Sequence, residues 1–381
     1  MINISFPRKQ EKFLILQASE HGTSGFMFLL DEEKNLHFKK SWPEFSWSRV
    51  SRLIRRHLEH WKIIVVADAS VATTMSYPLS LIRDSKKDSI SASELENLLG
   101  QALVRVWNEC RREASKKLGL DELDTIIIDQ SVTRFKIDGH RVVNPIGFRA
   151  EKIEAVLDLT ITNRLIFEDW KNFFGSGEEN HFFFTESAKS ILASLKRATP
   201  IPINLLTLRS NRADSFILGD GKSGLNIKRE SLAWSTGQII NSIAEFWSLS
   251  RSSSLKVYHQ FLSNKLAPKT TDALNKILKP TIRSLIGNIS QQNFKGTVFV
   301  DSDLPLPFVF PHRLGRVALE ELPDKSILSD LGFLIEDKDW PFKSKEIFTH
   351  LAPFVEFYYN NRDSAINHWL KRRIHWLGSS I

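Results

Sequence analysis

The amino-acid sequence predicts an α/β fold whose plan occurs twice along the chain, with a smaller α/β module inserted into the first copy. Each half opens with two apolar segments joined by a short turn, at 13–30 and at 203–218, which is typical of a β-hairpin. Segments with apolar residues at helical spacing follow each hairpin. Between the two hairpins, residues 78–163 combine one long helical pattern with several strand patterns, which indicates a separate layer.

The first half begins with a hairpin and a third strand beside it. Its predicted elements are strands at 13–17, 25–30 and 36–40 with a turn over 18–24, a helix at 47–61, a strand at 63–67, a helix at 167–174, a strand at 182–184 and a helix at 187–195. The helix at 47–61 places its arginines mostly opposite its apolar face. The β-branched run at 63–67 is typical of a buried strand.

The inserted module contains one long predicted helix at 94–118. Ser91 or Ser93 is expected to cap its start, and Gly119 to end it. Asp138-Gly139 is a hairpin turn signal. The other predicted elements are a loop at 83–91 and strands at 123–130, 135–137, 142–143 and 152–160.

The second half repeats the order of hairpin, helices and buried strand. Its predicted elements are strands at 203–208, 214–218 and 225–228 with a turn over 219–222, helices at 236–249, 257–262 and 271–289, a strand at 297–300 and a last core helix at 348–360. The expected domains are a first half at 1–77 with 164–198, an insertion at 78–163, a second half at 199–330, a returning helical region at 331–360, and a linker with a terminal helix at 361–381.

The composition is that of an ordinary globular protein. Of its 381 residues 42% are hydrophobic, and no apolar run approaches the ~20 residues that cross a bilayer. The first residues lack a secretory signal pattern. Cys110 is the only cysteine, so no intrachain disulfide is possible, which fits the cytoplasm. The net charge of +8 favours an anionic partner: lipid head groups, an acidic peptide or nucleic acid.

Residues 366–381 form a predicted amphipathic helix with a basic polar side. Tryptophan on the apolar face and basic residues elsewhere are typical of a helix that lies in a membrane interface. The alternative is a terminal helix that docks on its own domain. The residues expected to bind anionic lipids are Trp369, Leu370, Lys371, Arg372, Arg373, Ile374, Trp376 and Leu377.

Two motifs in the insertion suggest a family. Asp138-Gly139 is followed by Asn144-Pro145-Ile146-Gly147-Phe148 and then by a strand. This succession resembles the inserted subdomain of the FtsA family of bacterial division actins, whose members also end in an amphipathic membrane helix. The resemblance implies an actin-like (ribonuclease-H-like) duplicated fold, an FtsZ-like filament partner and possible self-association. The related PilM family shares the insertion but generally lacks such a tail.

The nucleotide loops depart from that family. Actin-like ATPases hold phosphates between glycine-rich hairpins, where the backbone can approach closely. Here the first loop offers Gly22 and Thr23 but no aspartate at its entry, and the second offers Arg209 and Arg212 but no glycine. The adenosine-side loop, 301–305, also lacks the glycines. These four residues are the candidates for a vestigial nucleotide site; hydrolysis, bound ATP and Mg²⁺ are disfavoured, and no cofactor or metal is expected.

A basic helical segment follows in the second half. Lys276, Lys279 and Arg283 are candidates for binding the acidic tail of an FtsZ-like partner. A solvated lysine-rich face explains the same pattern and is the preferred interpretation. The sequence GDGKSG at 219–224 lacks the first glycine of a P-loop and is interpreted as a turn.

These features predict a peripheral adaptor on the cytoplasmic face of the membrane that links a filament to the bilayer without hydrolysing ATP. Midcell is one expected location for it. An active actin-family ATPase and a PilM-like pilus-assembly platform are the alternatives within the fold. A nucleic-acid-binding protein that uses 49–56 and 105–117 is the alternative outside it. Aromatic residues do not interleave with those charges, so no nucleic-acid partner is expected.

Overall fold

The computed structural model describes residues 10–45, 61–174, 182–221, 224–307, 310–335 and 340–359. The predicted helix at 47–61, apart from Trp61, lies outside these residues, and so does the predicted terminal helix with its candidate lipid-binding residues. The chain divides into two compact units. Unit 1 takes Met1–Pro200, Gly219–Ile227 and Pro323–Ile381, and unit 2 takes Ile201–Leu218 and Lys228–Leu322.

Sixteen strands and eight helices are found in the described part of the chain. The strands are β1 (Glu11–Ser19), β2 (Gly22–Leu30), β3 (Asn35–Trp42), β4 (Trp61–Ala67), β5 (Ala72–Ile82), β6 (Thr125–Ile137), β7 (His140–Val142), β8 (Lys152–Asn163), β9 (Phe182–Glu186), β10 (Ile203–Leu208), β11 (Ala213–Gly221), β12 (Gly224–Leu232), β13 (Thr297–Ser302), β14 (Arg313–Leu314), β15 (Val317–Glu321) and β16 (Leu334–Ile335). The helices are α1 (Ala92–Leu118), α2 (Arg164–Phe174), α3 (Ser187–Ala198), α4 (Gly237–Trp247), α5 (Arg251–Leu262), α6 (Pro268–Ser290), α7 (Ser326–Asp330) and α8 (Ser344–Tyr359).

The first sheet has the order β16-β3-β2-β1-β4-β9. β1, β4 and β9 run parallel, whereas β2 is antiparallel to β1. Residues 13–16 are fully buried because both faces of the sheet are covered, which explains their continuous apolar run. Leu14 packs in a cluster with Trp170 of α2, and Phe13 meets Phe354 of α8 edge-to-face, with 4.9 Å between the ring centroids.

The second sheet repeats this order as β12-β11-β10-β13-β15, with β14 added at the edge. β10, β13 and β15 are parallel, and β11 is antiparallel to β10. Leu206 of β10 lies in a buried cluster with Ile239 of α4 and Leu278 of α6. The same strand order in both sheets confirms the predicted α/β duplication, and it is the order of the actin-like fold.

The insertion is a four-stranded sheet, β5-β8-β6-β7, covered on one face by α1. The predictions for α1 are confirmed, since the Ser91 side chain caps its start and Gly119 ends it with φ 68°. Strand β5 was not predicted, because Pro78 argues against a strand. Its position explains the proline: among the described strands, β5 is an edge strand that pairs with β8 alone, and a missing N–H is tolerated at an edge.

Several predicted boundaries were wrong. The turn over 18–24 is only the pair Glu20–His21, because β1 and β2 pair up to Ser19 and Gly22. The predicted strands at 123–130 and 135–137 are one strand, β6, which bends at Arg134 (φ 57°). Gly219 and Gly221 belong to β11, so the turn over 219–222 is shorter than predicted. The shortest elements, α7, β14 and β16, carried no periodic pattern.

Among the described helices, none is both long and apolar enough to span a bilayer.

The only thiol, that of Cys110, lies on the face of α1 that packs against the inserted sheet. Cys110 has no exposed surface, and burial raises its pKa to about 12. We expect almost no thiolate at neutral pH, so a soluble disulfide reagent should modify the folded chain at a small fraction of the rate for the unfolded chain. The measurement is thiol release with and without denaturant, where the denatured chain supplies the control. Rapid modification of the folded chain would contradict this placement.

Candidate functional site

The first candidate phosphate loop is a tight turn of two residues. Gly22 has φ 119°, and a Cβ atom built on it meets nothing within 4 Å. Glycine is therefore needed here for the backbone conformation of the turn. The Ser19 hydroxyl accepts a hydrogen bond from the His21 N–H, and Thr23 is paired within the sheet opposite Ala18. Gly22 and Thr23 thus belong to the paired end of the hairpin.

Two acidic residues lie at the carboxyl ends of neighbouring parallel strands in unit 1. Asp68 follows β4 and Glu186 ends β9. In open α/β sheets, ligands bind at this edge. The Asp68 carboxylate accepts hydrogen bonds from the Ser70 N–H (2.9 Å) and the Ser187 hydroxyl (3.4 Å). This pair was not predicted, although an acidic residue directly after a buried apolar run was a usable signal.

A buried ion cluster, Lys189–Asp129–Glu356, lies nearby in unit 1. The Lys189 ammonium is 2.9 Å from the Asp129 carboxylate and 3.7 Å from that of Glu356. The Glu356 carboxylate also accepts hydrogen bonds from the Thr185 and Ser190 hydroxyls, at 2.6 and 2.7 Å. These contacts join α3, α8 and strand β6 of the insertion. Within the described residues, no group of three or more His, Cys, Asp or Glu side chains could hold a metal ion.

The second candidate phosphate loop is the turn at 209–212 between β10 and β11. Its backbone accepts hydrogen bonds from the start of α4: the Thr236 N–H donates to the Arg209 carbonyl (2.9 Å), and the Gly237 N–H donates to the Ser210 carbonyl (3.2 Å). A Cβ atom on Gly237 would lie 2.3 Å from the Ser210 oxygen, so only glycine allows this approach. Helix-start N–H groups often bind anions, but these two already have partners.

Both arginines of this loop bind carboxylates of unit 2. The Arg209 guanidinium is 2.6 Å from the Asp301 carboxylate, and both side chains are about nine-tenths buried. Arg212 makes two hydrogen bonds to Asp214, at 2.6 and 2.9 Å. Arg209 and Arg212 were predicted to bind an anionic ligand. Their positive charges are instead neutralised by carboxylates of the protein itself.

Asp214 is the centre of this ion cluster. Burial alone would raise the pKa of its carboxyl group, but the ion pairs with Arg229 and Arg212 outweigh burial and lower the pKa. The fully buried Arg229 is 2.8 Å from the carboxylate and lies over the Phe216 ring. The Ser231 hydroxyl donates a further hydrogen bond of 2.7 Å.

The third candidate loop, 301–305, is held against the second. The Asp303 N–H donates to the Leu208 carbonyl (3.0 Å), and the Asp303 carboxylate accepts a hydrogen bond from the Thr236 hydroxyl (2.8 Å). The aspartates of this loop thus connect the ends of β10 and β13 to the start of α4.

The insertion motif shapes turns at one end of the inserted sheet. Asp138 and Gly139 both have positive φ, as a two-residue hairpin requires. The Asn144 side-chain oxygen accepts a hydrogen bond from the Ile146 N–H. The Pro145 carbonyl accepts one from the Phe148 N–H. The N–H of Gly147, which has φ 88°, donates to the Ile90 carbonyl. These are local structural contacts.

The candidate partner-binding residues lie together on α6. Lys276, Lys279 and Arg283 are all exposed, whereas Leu278 and Ile282 are buried on the opposite side. The structure therefore presents a basic stripe on the surface of unit 2, as the helical spacing predicts.

Comparison with known proteins gives likenesses in structure alone. No family model and no curated protein matches the chain. The similar solved structures include a PilM–PilN type IV pilus biogenesis complex, at 11% identity over 92% of this chain and 98% of that one, with a TM-score of 0.48. The cytoplasmic domain of EpsL, an inner-membrane component of the Vibrio cholerae type II secretion system, has 10% identity over 84% and 94% and a TM-score of 0.34. A Bacteroides thetaiotaomicron protein with an actin-like ATPase fold and unknown function has 7% identity over 91% and 95% and a TM-score of 0.34.

Proposed function

We propose that this chain is a non-hydrolysing scaffold with an actin-like fold, which joins a protein assembly to the cytoplasmic face of a membrane. The observation that carries the proposal is the state of the second phosphate loop: Arg209 and Arg212 are each bound to a carboxylate of the same unit.

Phosphoryl transfer needs backbone N–H groups and cations directed at the phosphates. Here two N–H groups at the start of α4, those of Thr236 and Gly237, donate to the turn itself. Asp301 and Asp303 place negative charge beside the turn. A phosphate would have to separate buried ion pairs, and breaking such a pair costs several kcal/mol. This arrangement supports a role in which the fold binds partners without turning over ATP.

Membrane attachment is supported by the pattern of the terminal segment. Trp369, Trp376 and the intervening basic residues are typical of an interfacial helix. One such helix binds a membrane weakly, so assembly into a multivalent complex would increase the attachment through effective concentration.

The assembly belongs to one of two kinds. A division filament of the FtsZ type is suggested by the tail, whereas a pilus- or secretion-type membrane complex is suggested by two of the similar structures, the PilM–PilN complex and EpsL. We propose that a pilus- or secretion-type membrane complex is at least as well supported as a division filament. A fluorescent fusion distinguishes them, because a division adaptor forms a midcell ring and a pilus or secretion platform forms separate foci.

The attachment is tested by co-sedimentation with anionic vesicles. We expect the full chain to sediment with vesicles that contain phosphatidylglycerol, and a chain stopped after Arg362 to lose at least tenfold in binding. The full-length variant W369A/W376A keeps the charges of the terminal segment and should also lose binding, because it removes the two tryptophans from the apolar face. Equal binding of the truncated chain would contradict the proposed attachment.

Nucleotide binding is tested by calorimetric titration with ATP and Mg²⁺. We expect no saturable binding at micromolar concentrations, because the arginines of the second loop already hold carboxylates. The D301N variant is the informative comparison, since it releases Arg209 from its charge partner. Micromolar affinity of the unmodified chain would contradict the non-hydrolysing role.

A further inference from the structure

The C-terminal end of α8 is fixed to the body of unit 1. The Arg197 guanidinium donates to the Tyr359 carbonyl (3.0 Å) and lies 4.1 Å from the centre of the Tyr359 ring. The Tyr359 hydroxyl donates to the Leu331 carbonyl at 2.6 Å. The chain therefore leaves the described part of unit 1 from a defined point.

That point lies at the edge of the first sheet where its parallel strands begin. Phe357 of α8 contacts Phe13 near the start of β1 and Phe183 near the start of β9, with ring centroids 5.9 and 5.3 Å apart. The turn after β2 is at the same edge, because Leu30 pairs with Glu11. We name this the amino edge; its surface residues are Glu11, Lys12, Glu32, Glu33, Lys34, Trp61, Lys62, Lys196, Arg197, Asp330, Leu334 and Tyr358.

The amino edge combines lysines with aromatic and apolar groups. Lys12 lies 5.8 Å from the Trp61 ring centre, and Lys34 lies 5.5 Å from that of Tyr358. Leu334 is 54% exposed and Tyr358 is 36% exposed. Tyrosine, tryptophan and long basic side chains are the residues that prefer the level of lipid head groups.

The charges of this edge are nearly balanced. Its five basic residues face four acidic ones, and Glu11 is already paired with Lys62 at 2.9 Å. We therefore expect the edge to add little affinity to that of the terminal helix, so the orientation of unit 1 on a membrane depends on where the chain leaves it.

The length of chain after Tyr359 limits how far the edge can be from the membrane. Six residues, 360–365, precede the predicted interfacial helix and reach at most about 20 Å when fully extended. The turn Glu20–His21 lies at the other end of β2, about 30 Å away at ~3.4 Å per residue. The tether is short enough to keep the amino edge near the lipid and the opposite edge away from it.

We propose that the amino edge of unit 1 lies against the head groups of an anionic membrane, so that the carboxyl ends of β1, β4 and β9, with the first candidate phosphate loop, face away from the lipid. This inference rests on the proposed membrane attachment. It assigns the carboxyl edge, with Asp68 and Glu186, to the side on which a cytoplasmic partner can approach.

The test compares labels at the two ends of one strand. The variants E32C and H21C place a fluorophore on the turns that follow and precede β2, both exposed. Cys110 can remain, because it is buried and its pKa is raised. Each labelled chain is bound to phosphatidylglycerol vesicles that carry a nitroxide quencher on the head groups. We expect several-fold stronger quenching at residue 32 than at residue 21.

The additional variant R197A removes the Arg197 contacts to Tyr359 and leaves the hydrogen bond from the Tyr359 hydroxyl to Leu331. With it we expect the difference between the two labels to shrink while co-sedimentation is retained. Equal quenching at both labels of the unmodified background, or stronger quenching at residue 21, would overturn the proposed orientation alone. Failure of the labelled chains to sediment with vesicles would overturn the membrane attachment as well.

Discussion

Replacing Lys189 with methionine lowers the free energy of unfolding of unit 1 by about 3–5 kcal/mol. The ammonium is about nine-tenths buried, and its removal leaves the carboxylates of Asp129 and Glu356 without their shared counter-charge. The Thr185 and Ser190 hydroxyls that stabilise the Glu356 carboxylate cannot replace that charge. Urea denaturation followed by circular dichroism measures the change.

Lys196 supplies the matched control for this substitution. It is the other lysine of α3 and is exposed, so K196M should change stability by no more than about 0.5 kcal/mol. The triple variant K189M/D129N/E356Q should recover part of the loss, because it removes the buried charges together. A K189M loss below about 1 kcal/mol would mean that the cluster is not a significant source of stability.

The second large effect is a loss of stability of about 3 kcal/mol as the pH falls from 6.5 to 4. Burial lowers the pKa of His350 to about 4, and Glu346 offsets this only in part. The imidazole stacks on Phe342 at 3.9 Å, and its Nδ1 is 2.9 Å from the Gln17 side-chain oxygen. Below pH 6.5 the imidazole of His350 binds a proton in the unfolded chain but not in the folded chain. Its contribution to the free energy of unfolding is therefore fully present above pH 6.5 and is lost as the pH falls to about 4.

The variant H350Q isolates this contribution. It cannot take up a proton, so the difference in unfolding free energy between the parent chain and H350Q should change by about 3 kcal/mol over that range. Carboxylates with lowered pKa, such as Asp31 at about 2 and Asp214, are common to both chains and cancel in the difference. A difference that stays constant between pH 6.5 and 4 would exclude His350 as the cause.

Local signals were sufficient to predict most of the longer helices and strands. The Ser91 cap, the Gly119 stop and the Asp138-Gly139 turn act within a few residues, and the structure has each of them as predicted. The hairpins at the start of each half followed from apolar runs separated by a turn. Strand β5 was not predicted because its partner, β8, is about 80 residues away in the sequence. Pro78 fits a strand only at the edge position that this pairing gives to β5.

The candidate site needed contacts that are distant in the sequence. The sequence at 207–214 shows directly that the second loop lacks glycine. Whether Arg209 and Arg212 can bind a ligand depends on Asp301 and Asp214, with which they form ion pairs. Lys189 gave no sequence signal, since its partners lie 60 and 167 positions away. An ion pair of this kind is visible only after the strands and helices are assembled.

The sequence by itself determined the duplicated α/β plan and the extent of most helices, because periodicity, caps and turn residues act over short distances. Only the tertiary structure decided that the loop arginines are neutralised, that α8 ends against Arg197 at the amino edge, and that Lys189 links three elements. Those properties depend on which residues meet after folding, and burial makes such charges strongly dependent on their partners.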